Sequence, residues 1–140
     1  VRDGEDIAIL SFGAHLAEAL AAAERLAEEG IRATVADARF AKPLDTALID
    51  QLARTHAGLI TIEQGADGGF GSAVLHHLAR AGLLDSGLAI RPMTLPDRFT
   101  HQASPAEMYA DAGLTVDDIC ETALNILRPE QKVIDLGARA

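Results

Sequence analysis

A chain of 140 residues can form one domain with its own core, burying roughly two thirds of its unfolded surface without disulfides. Twelve Lys and Arg against 21 Asp and Glu give a net charge of −9, which excludes bulk electrostatic binding to nucleic acid or to an anionic membrane. No apolar run approaches the roughly 18 residues of a membrane span, so a soluble, cytoplasmic protein is expected.

The first elements in the chain predict a βαβ unit. Ile7–Phe12 is a buried-strand candidate, and a helix over residues 14–29 follows and closes at Gly30. A second strand is predicted over residues 31–40, with charge where it ends in Asp37-Ala38-Arg39-Phe40. The residues placed on the buried face of the helix are Leu16, Leu20, Ala23 and Ala27.

The middle of the chain predicts a second helix and a third strand. In Lys42-Pro43-Leu44-Asp45, the proline interrupts the extended chain and Asp45 can cap the helix that follows. That helix buries Leu48, Ile49 and Leu52. The strand over residues 59–62 ends on Glu63 and opens into a loop with four glycines, at positions 65, 68, 69 and 71.

The last third of the chain alternates helices with one edge strand. A helix over residues 70–81 is followed by an extended segment, 88–95, in which Pro92 removes a ladder donor and favours the edge of the sheet. A short helix over residues 105–112 is predicted next. Thr115 then caps a final helix, and a mobile tail is expected from 128 to 140, after a domain of 1–127. The final helix is predicted to bury Val116, Ile119, Cys120, Ala123 and Leu127.

The glycine loop admits two interpretations. Backbone amides at a helix start can hold a phosphate. However, Gly71-Ser72 lacks the lysine of a Walker loop, a dinucleotide fingerprint would need a small residue at Val74, and acids flank the loop. The other interpretation is a tight corner in which Gly68, Gly69 and Gly71 permit close backbone packing around Phe70.

Other titratable residues give weaker signals for a site. The five histidines show no metalloprotease spacing, so structural or surface roles are favoured, and Cys120 is expected to be a core thiol. Asp37, Arg39 and Glu63 lie near the ends of strands predicted to be adjacent, where Arg39 could pair with either acid. Such a pair more often positions loops or an interface than it catalyses.

A combination of motifs resembles one enzyme family. Asp37-Ala38-Arg39-Phe40-Ala41-Lys42-Pro43-Leu44-Asp45 and Gly68-Gly69-Phe70-Gly71-Ser72, with Glu63 and Leu95-Pro96-Asp97-Arg98-Phe99, look like the C-terminal domain of 1-deoxy-D-xylulose-5-phosphate synthase. The general layout is shared with transketolase and with 2-oxo acid dehydrogenase beta subunits. At His101 the pattern departs from the family, so no role is transferred to that residue.

The resemblance implies a three-layer α/β fold with a mostly parallel five-stranded sheet and one antiparallel strand. It implies a parent enzyme that uses thiamine diphosphate and Mg²⁺ to join pyruvate and glyceraldehyde 3-phosphate with release of CO₂, feeding isoprenoid and thiamine synthesis. The cofactor would lie between two preceding domains, so this piece is expected to hold no catalytic, cofactor or metal residue and to be inactive alone.

The expected work of the chain is structural, packing against the preceding domains and a partner subunit of a homodimer. The candidate interface or structural residues are Asp37, Arg39, Phe40, Lys42, Glu63, Gly68, Gly69, Phe70 and Gly71. One alternative is a regulatory small-molecule site formed by Gly13, Arg39 and the glycine loop. Another is a free-standing binding protein, although the start at Val1 without Met favours a piece of a longer chain.

Overall fold

The computed structural model describes residues 1–38, 43–64, 69–94 and 114–128. Four strands and four helices lie in this part of the chain. They are, in order, β1 (Ile7–Phe12), α1 (Leu16–Glu28), β2 (Ala33–Asp37), α2 (Thr46–Thr55), β3 (Gly58–Glu63), α3 (Phe70–Arg80), β4 (Ala89–Met93) and α4 (Val116–Leu127).

The strands form one parallel sheet in the order β2-β1-β3-β4. The α/β class and the parallel sheet are thus confirmed. Within the described residues the sheet has four strands, one fewer than the five that the resemblance implies. Antiparallel pairing there is limited to a single bridge between Arg2 and Val35, on the outer side of β2.

Helices cover both faces of the sheet, which gives three layers. One face packs Ile7, Ile9 and Ile60 against α1 and α4. The other packs Ala8, Leu10 and Leu59 against α2 and α3. Successive residues of a strand point to opposite faces, so a strand buried on both sides reads as a continuous apolar run. Residues 7–10 are accordingly 0% exposed.

The strand and cap signals near the ends of the sheet are confirmed. β4 lies at the edge, as Pro92 predicts. Asp45 caps α2 by accepting from the Leu48 amide at 3.1 Å. At the start of α4, Thr115 and Asp118 form a reciprocal capping box. A cap of this kind satisfies amides that have no partner inside the helix, which is why short polar side chains mark helix starts in sequence.

The buried face of α1 differs from the predicted one. Ala27 is exposed, and Leu16 and Leu20 are only half-buried against the core. The residues that are buried are Ala19, Ala22, Ala23 and Leu26. Since alanine lets a helix approach a sheet closely, the helix turns its alanine face and Leu26 inward and leaves Leu16 and Leu20 at the margin.

Several predicted features fall outside the described residues. These are the segment 39–42, the loop at 65–68, the short helix at 105–112 and the tail beyond residue 128. In the described part of the chain, no helix is both long enough and apolar enough to span a membrane.

Candidate functional site

The carboxyl ends of the strands lie along one side of the sheet, which we call the carboxyl edge. At one point on this side the order of the strands reverses. The chain passes from β1 outward to β2, then back across β1 to β3, so α1 and α2 lie on opposite faces. In doubly wound sheets, ligands bind in the crevice at this point, outside the carboxyl ends of the strands. Here the reversal lies between the ends of β1 and β3, where Phe12 and Glu63 are register partners.

The Glu63 side chain turns back onto the first turn of α3. Its Oε1 accepts from the Phe70 amide at 3.0 Å, and its Oε2 accepts from the Gly71 amide. The residue is only 2% exposed. A carboxylate is favoured at a helix N-terminus because free amides and the helix dipole both present positive charge there. We call this arrangement of Glu63 with the amides of Phe70 and Gly71 the Glu63 clasp.

Gly71 is the residue that lets α3 approach the sheet so closely. A Cβ atom at this position would lie 3.0 Å from Thr61 Oγ1, 3.3 Å from Pro92 Cβ and 3.4 Å from Glu63 Oε2. These contacts are tighter than side-chain packing normally allows. A side chain at this position would therefore require Thr61, Pro92 or Glu63 to shift by a few tenths of an ångström.

Aromatic rings fill the space beside the clasp. The rings of Phe12, at the end of β1, and Phe70, at the start of α3, are stacked with centroids 4.9 Å apart and planes at 14°. Phe70 is 3% exposed. The reversal point therefore holds a carboxylate bound to amides and a stacked pair of rings, all from this chain. The arrangement can fix the turn from β3 into α3. The first two amides of α3, those of Phe70 and Gly71, are hydrogen-bonded to Glu63.

The other candidate residues do not all converge on this point. Asp37 is half-buried at the end of β2, and its register partner is Ser11. The prediction that Asp37 and Glu63 end adjacent strands is wrong, because β1 lies between them and separates the two strands by roughly 10 Å. Gly69 is the N-cap of α3. The candidates outside the described residues are Arg39, Phe40, Lys42 and Gly68.

His15 lies at the same edge, at the N-cap position of α1. Its side chain is fully buried. Burial lowers the pKa of His15, because desolvation disfavours the charged ring, and the nearby Glu18 carboxylate opposes this effect only in part. Burial therefore disfavours protonation of the His15 ring inside the fold.

The remaining described histidines have structural contacts or are exposed. His77 pairs with Asp50 at 2.6 Å, joining α3 to α2, and His76 is exposed on the other side of α3. His56 makes a hydrogen-bonded network at the opposite edge of the sheet, and no sequence pattern indicated it. Across the described ranges, no three His, Cys, Asp or Glu side chains come together as metal ligands.

Cys120 is a core thiol. It is buried on α4 and donates through Sγ to the Ala22 carbonyl oxygen at 3.6 Å. Burial raises its pKa, which keeps the thiol protonated and poorly nucleophilic, although Arg25 acts in the opposite direction. It borders a surface cavity of about 510 Å³ between α1 and α4 that carries both acidic and basic side chains.

Comparison with known proteins agrees with this fold. The chain matches the family described as "Transketolase, C-terminal domain" over residues 1–119. It is 63% identical over 140 residues to 1-deoxy-D-xylulose-5-phosphate synthase 2 of Jannaschia sp. (strain CCS1), which is all of this chain and 21% of that protein. It is also 63% identical over 131 residues to the 1-deoxy-D-xylulose-5-phosphate synthase of Rhodobacter capsulatus, covering 94% of this chain and 20% of that protein.

Solved structures show the same fold at lower sequence identity. One described as "Split gene transketolase, inactive beta4 tetramer" superposes with a TM-score of 0.80 at 31% identity, covering 90% of this chain and 40% of that one. A transketolase variant from Pichia stipitis gives 0.63 at 17% identity, covering 90% and 17%, and supports the fold alone. The chain spans about a fifth of the length of the curated relatives it matches. The resemblance found in the sequence is thereby confirmed, and the chain belongs to the family of transketolase C-terminal domains.

Proposed function

We propose that this chain is the C-terminal domain of a 1-deoxy-D-xylulose-5-phosphate synthase and that its work there is structural. In this proposal it packs against the preceding domains and a partner subunit of a cytoplasmic homodimer. The parent enzyme joins pyruvate to glyceraldehyde 3-phosphate with thiamine diphosphate and Mg²⁺, and this chain alone is inactive. The observation that carries the proposal is 63% identity, over 94% or more of the chain, to synthases whose length it spans only to about a fifth.

The carboxyl edge of the sheet supports a structural role. At the place where related sheets hold ligands, the Glu63 carboxylate takes the amides of Phe70 and Gly71. A phosphate at the start of α3 would have to displace a buried carboxylate of the same charge, which is unfavourable. The clasp favours a fixed corner over an anion site.

The described residues do not fit thiamine diphosphate or its metal. Two amides that could approach a diphosphate at the start of α3 are engaged by Glu63, and the side chains of this part of the chain form no cluster of metal ligands. In the proposal, the cofactor and its chemistry belong to other domains of the longer protein.

A subunit-interface role has one further support. The structural neighbour with a TM-score of 0.80 is described as an inactive tetramer of a split-gene transketolase. We propose, from the charged and glycine-rich sequences that follow β2 and β3, that the interface of this chain lies there, with Asp37 at its margin.

The test is made in the full-length synthase. Deleting the segment equivalent to residues 1–140 should abolish dimer formation and turnover, measured by analytical ultracentrifugation and by product formation. Because a deletion can also prevent folding, Asp37→Ala provides a milder arm that should weaken the dimer. Asp117→Ala, on the exposed surface of α4, is its matched control. An unchanged dimer with full turnover after the deletion would overturn the proposal.

The regulatory alternative needs its own measurement. It requires a ligand site near Gly13, Arg39 and the glycine loop, of which Arg39 and residues 65–68 lie outside the described residues. Calorimetric titration of the chain with nucleotides and with isoprenoid diphosphates separates the two ideas. A structural domain gives no saturable heat, whereas a regulatory domain binds one of these ligands stoichiometrically.

A further inference from the structure

The first six residues of the chain lie along the outer edge of β2. The amide of Arg2 donates to the Val35 carbonyl oxygen at 3.0 Å, and the Val35 amide donates back to the Arg2 carbonyl oxygen at 2.8 Å. Further along, the Asp6 amide donates to the Arg32 carbonyl oxygen at 2.9 Å, and the Arg32 amide donates to Asp6 Oδ2 at 2.7 Å. We call residues 1–6 the strap.

The strap approaches the sheet most closely at Gly4. A Cβ atom at this position would lie 2.6 Å from the carbonyl carbon of Ala33 and 2.7 Å from that of Arg32, which is closer than any side chain can come to a backbone. Gly4 also exchanges two hydrogen bonds with Thr34. Its amide donates to Thr34 Oγ1, and its carbonyl oxygen accepts from that hydroxyl, both at 2.9 Å.

His56, the residue that follows α2, contacts both Gly4 and Thr34. Its Nε2 lies 2.8 Å from Thr34 Oγ1 and 3.3 Å from the Gly4 carbonyl oxygen. The contacts join residues 22 and 52 positions apart in the chain. One ring therefore connects the strap, β2 and the end of α2.

The other ring nitrogen fixes the ring on the last turn of α2. Nδ1 lies 3.0 Å from the Leu52 carbonyl oxygen and 2.9 Å from the Thr55 hydroxyl, which itself donates to the Gln51 carbonyl oxygen at 2.7 Å. His56 is thus anchored to α2 through Nδ1, while Nε2 contacts Thr34 and Gly4.

We infer that the strap is a rigid lead-in to the domain and that the His56 ring is the pin that holds it. A segment preceding Val1 would then enter the domain in a fixed direction and would not swing on a flexible linker. The existence of such a preceding segment rests on the proposed function, whereas the pin rests on the contacts of Gly4, Thr34 and His56 alone.

Amide hydrogen exchange of the 140-residue chain tests the pin. In His56→Ala, the amides of Arg2, Gly4 and Asp6 should exchange roughly tenfold faster, the change expected from losing about one net hydrogen bond. The amides of β1 report on global unfolding and should keep their protection. His76→Ala, on the exposed side of α3, is the matched control and should change neither set.

A second variant makes the inference falsifiable if His56→Ala weakens the whole fold. Thr34→Val keeps the side-chain shape but removes the hydroxyl, so the Gly4 amide alone should lose most of its protection. Strap exchange unchanged in both variants would overturn the inference. If deleting the domain from the full-length synthase changed neither dimer formation nor turnover, the proposed function would be wrong, but the inference about His56 would stand.

Discussion

One polar side chain joins neighbouring segments at each end of the parallel strands, Glu63 at the carboxyl ends and His56 at the amino ends. The two side chains differ in how far apart in sequence the groups that they join are. At the carboxyl edge, Glu63 bonds to amides only 7 and 8 residues away and is nearly fully buried. At the amino edge, half-buried His56 joins groups 22 and 52 residues away. The first contact closes a local turn, and the second connects distant parts of the fold. We therefore expect the carboxyl edge to contribute more to stability and the amino edge more to local order.

The largest expected effect is at Glu63. Glu63→Gln keeps the shape but turns an NH₂ group toward one of the two amides, so one buried donor loses its acceptor. We expect the free energy of unfolding to fall by about 2 kcal/mol, and by about 3 kcal/mol in Glu63→Ala. Urea denaturation followed by circular dichroism measures both. Glu121→Gln, on an exposed position of α4, is the control and should be neutral.

Gly71→Ala tests the close approach of α3 to the same edge. Alanine normally favours a helix over glycine by about 1 kcal/mol. Here the new methyl group meets Thr61, Pro92 and the Glu63 carboxylate, and overpacking of this kind costs about 1–3 kcal/mol. A net loss of about 1 kcal/mol is expected in the same urea experiment. A variant that is more stable than the wild type would show that the corner is not closely packed.

His15 should make the carboxyl edge sensitive to acid. Its pKa is lowered by burial in the folded chain, so below about 6.5 the unfolded state takes up a proton that the folded state refuses. This contribution to stability is present above about pH 6.5. It is lost as the pH falls below that value toward the pKa of His15 in the folded chain. Comparing urea midpoints at pH 7.5 and pH 5.5 should show a smaller decrease in His15→Gln than in the wild type. Equal decreases would contradict the assignment.

The smallest effect is expected at the amino edge, in the ion pair between Arg32 and Glu5. Their side chains are 62% and 74% exposed, so solvent screens most of the attraction. Glu5→Gln should change the free energy of unfolding by less than about 0.5 kcal/mol, and added salt should remove even that difference. A larger loss would mean that the strap supports the whole domain and not only its own order.

The same contrast explains what could be predicted from sequence. Strands, helix caps and the edge position of β4 depend on neighbouring residues, so Pro92, Asp45 and Thr115 were sufficient to indicate them. The parts of the clasp lie close in sequence, because Glu63 and Gly71 belong to one short stretch. The sequence indicates only that the acid disfavours a bound anion, whereas in the fold the Glu63 carboxylate itself takes the position of one.

Long-range contacts left no comparable signal. Gly4, Thr34 and His56 are each unremarkable in their own surroundings, and only the order of the strands brings them together. Strand order also accounts for the error about Asp37 and Glu63. The ends of strands that follow one another in sequence need not be neighbours when the chain crosses back over β1.

The edge position of β4 has a consequence for the behaviour of the domain in concentrated solution. An exposed strand edge can recruit the sheet of another molecule and start aggregation, and proteins resist this with proline and charge at such edges. On β4, Arg91 and Pro92 are both exposed, and Pro92 has no amide to offer. On the far side, residues 1–6 cover β2. Replacing Pro92 with valine would give the edge a further hydrogen-bond donor, and light scattering would show whether solubility at high concentration depends on that single residue.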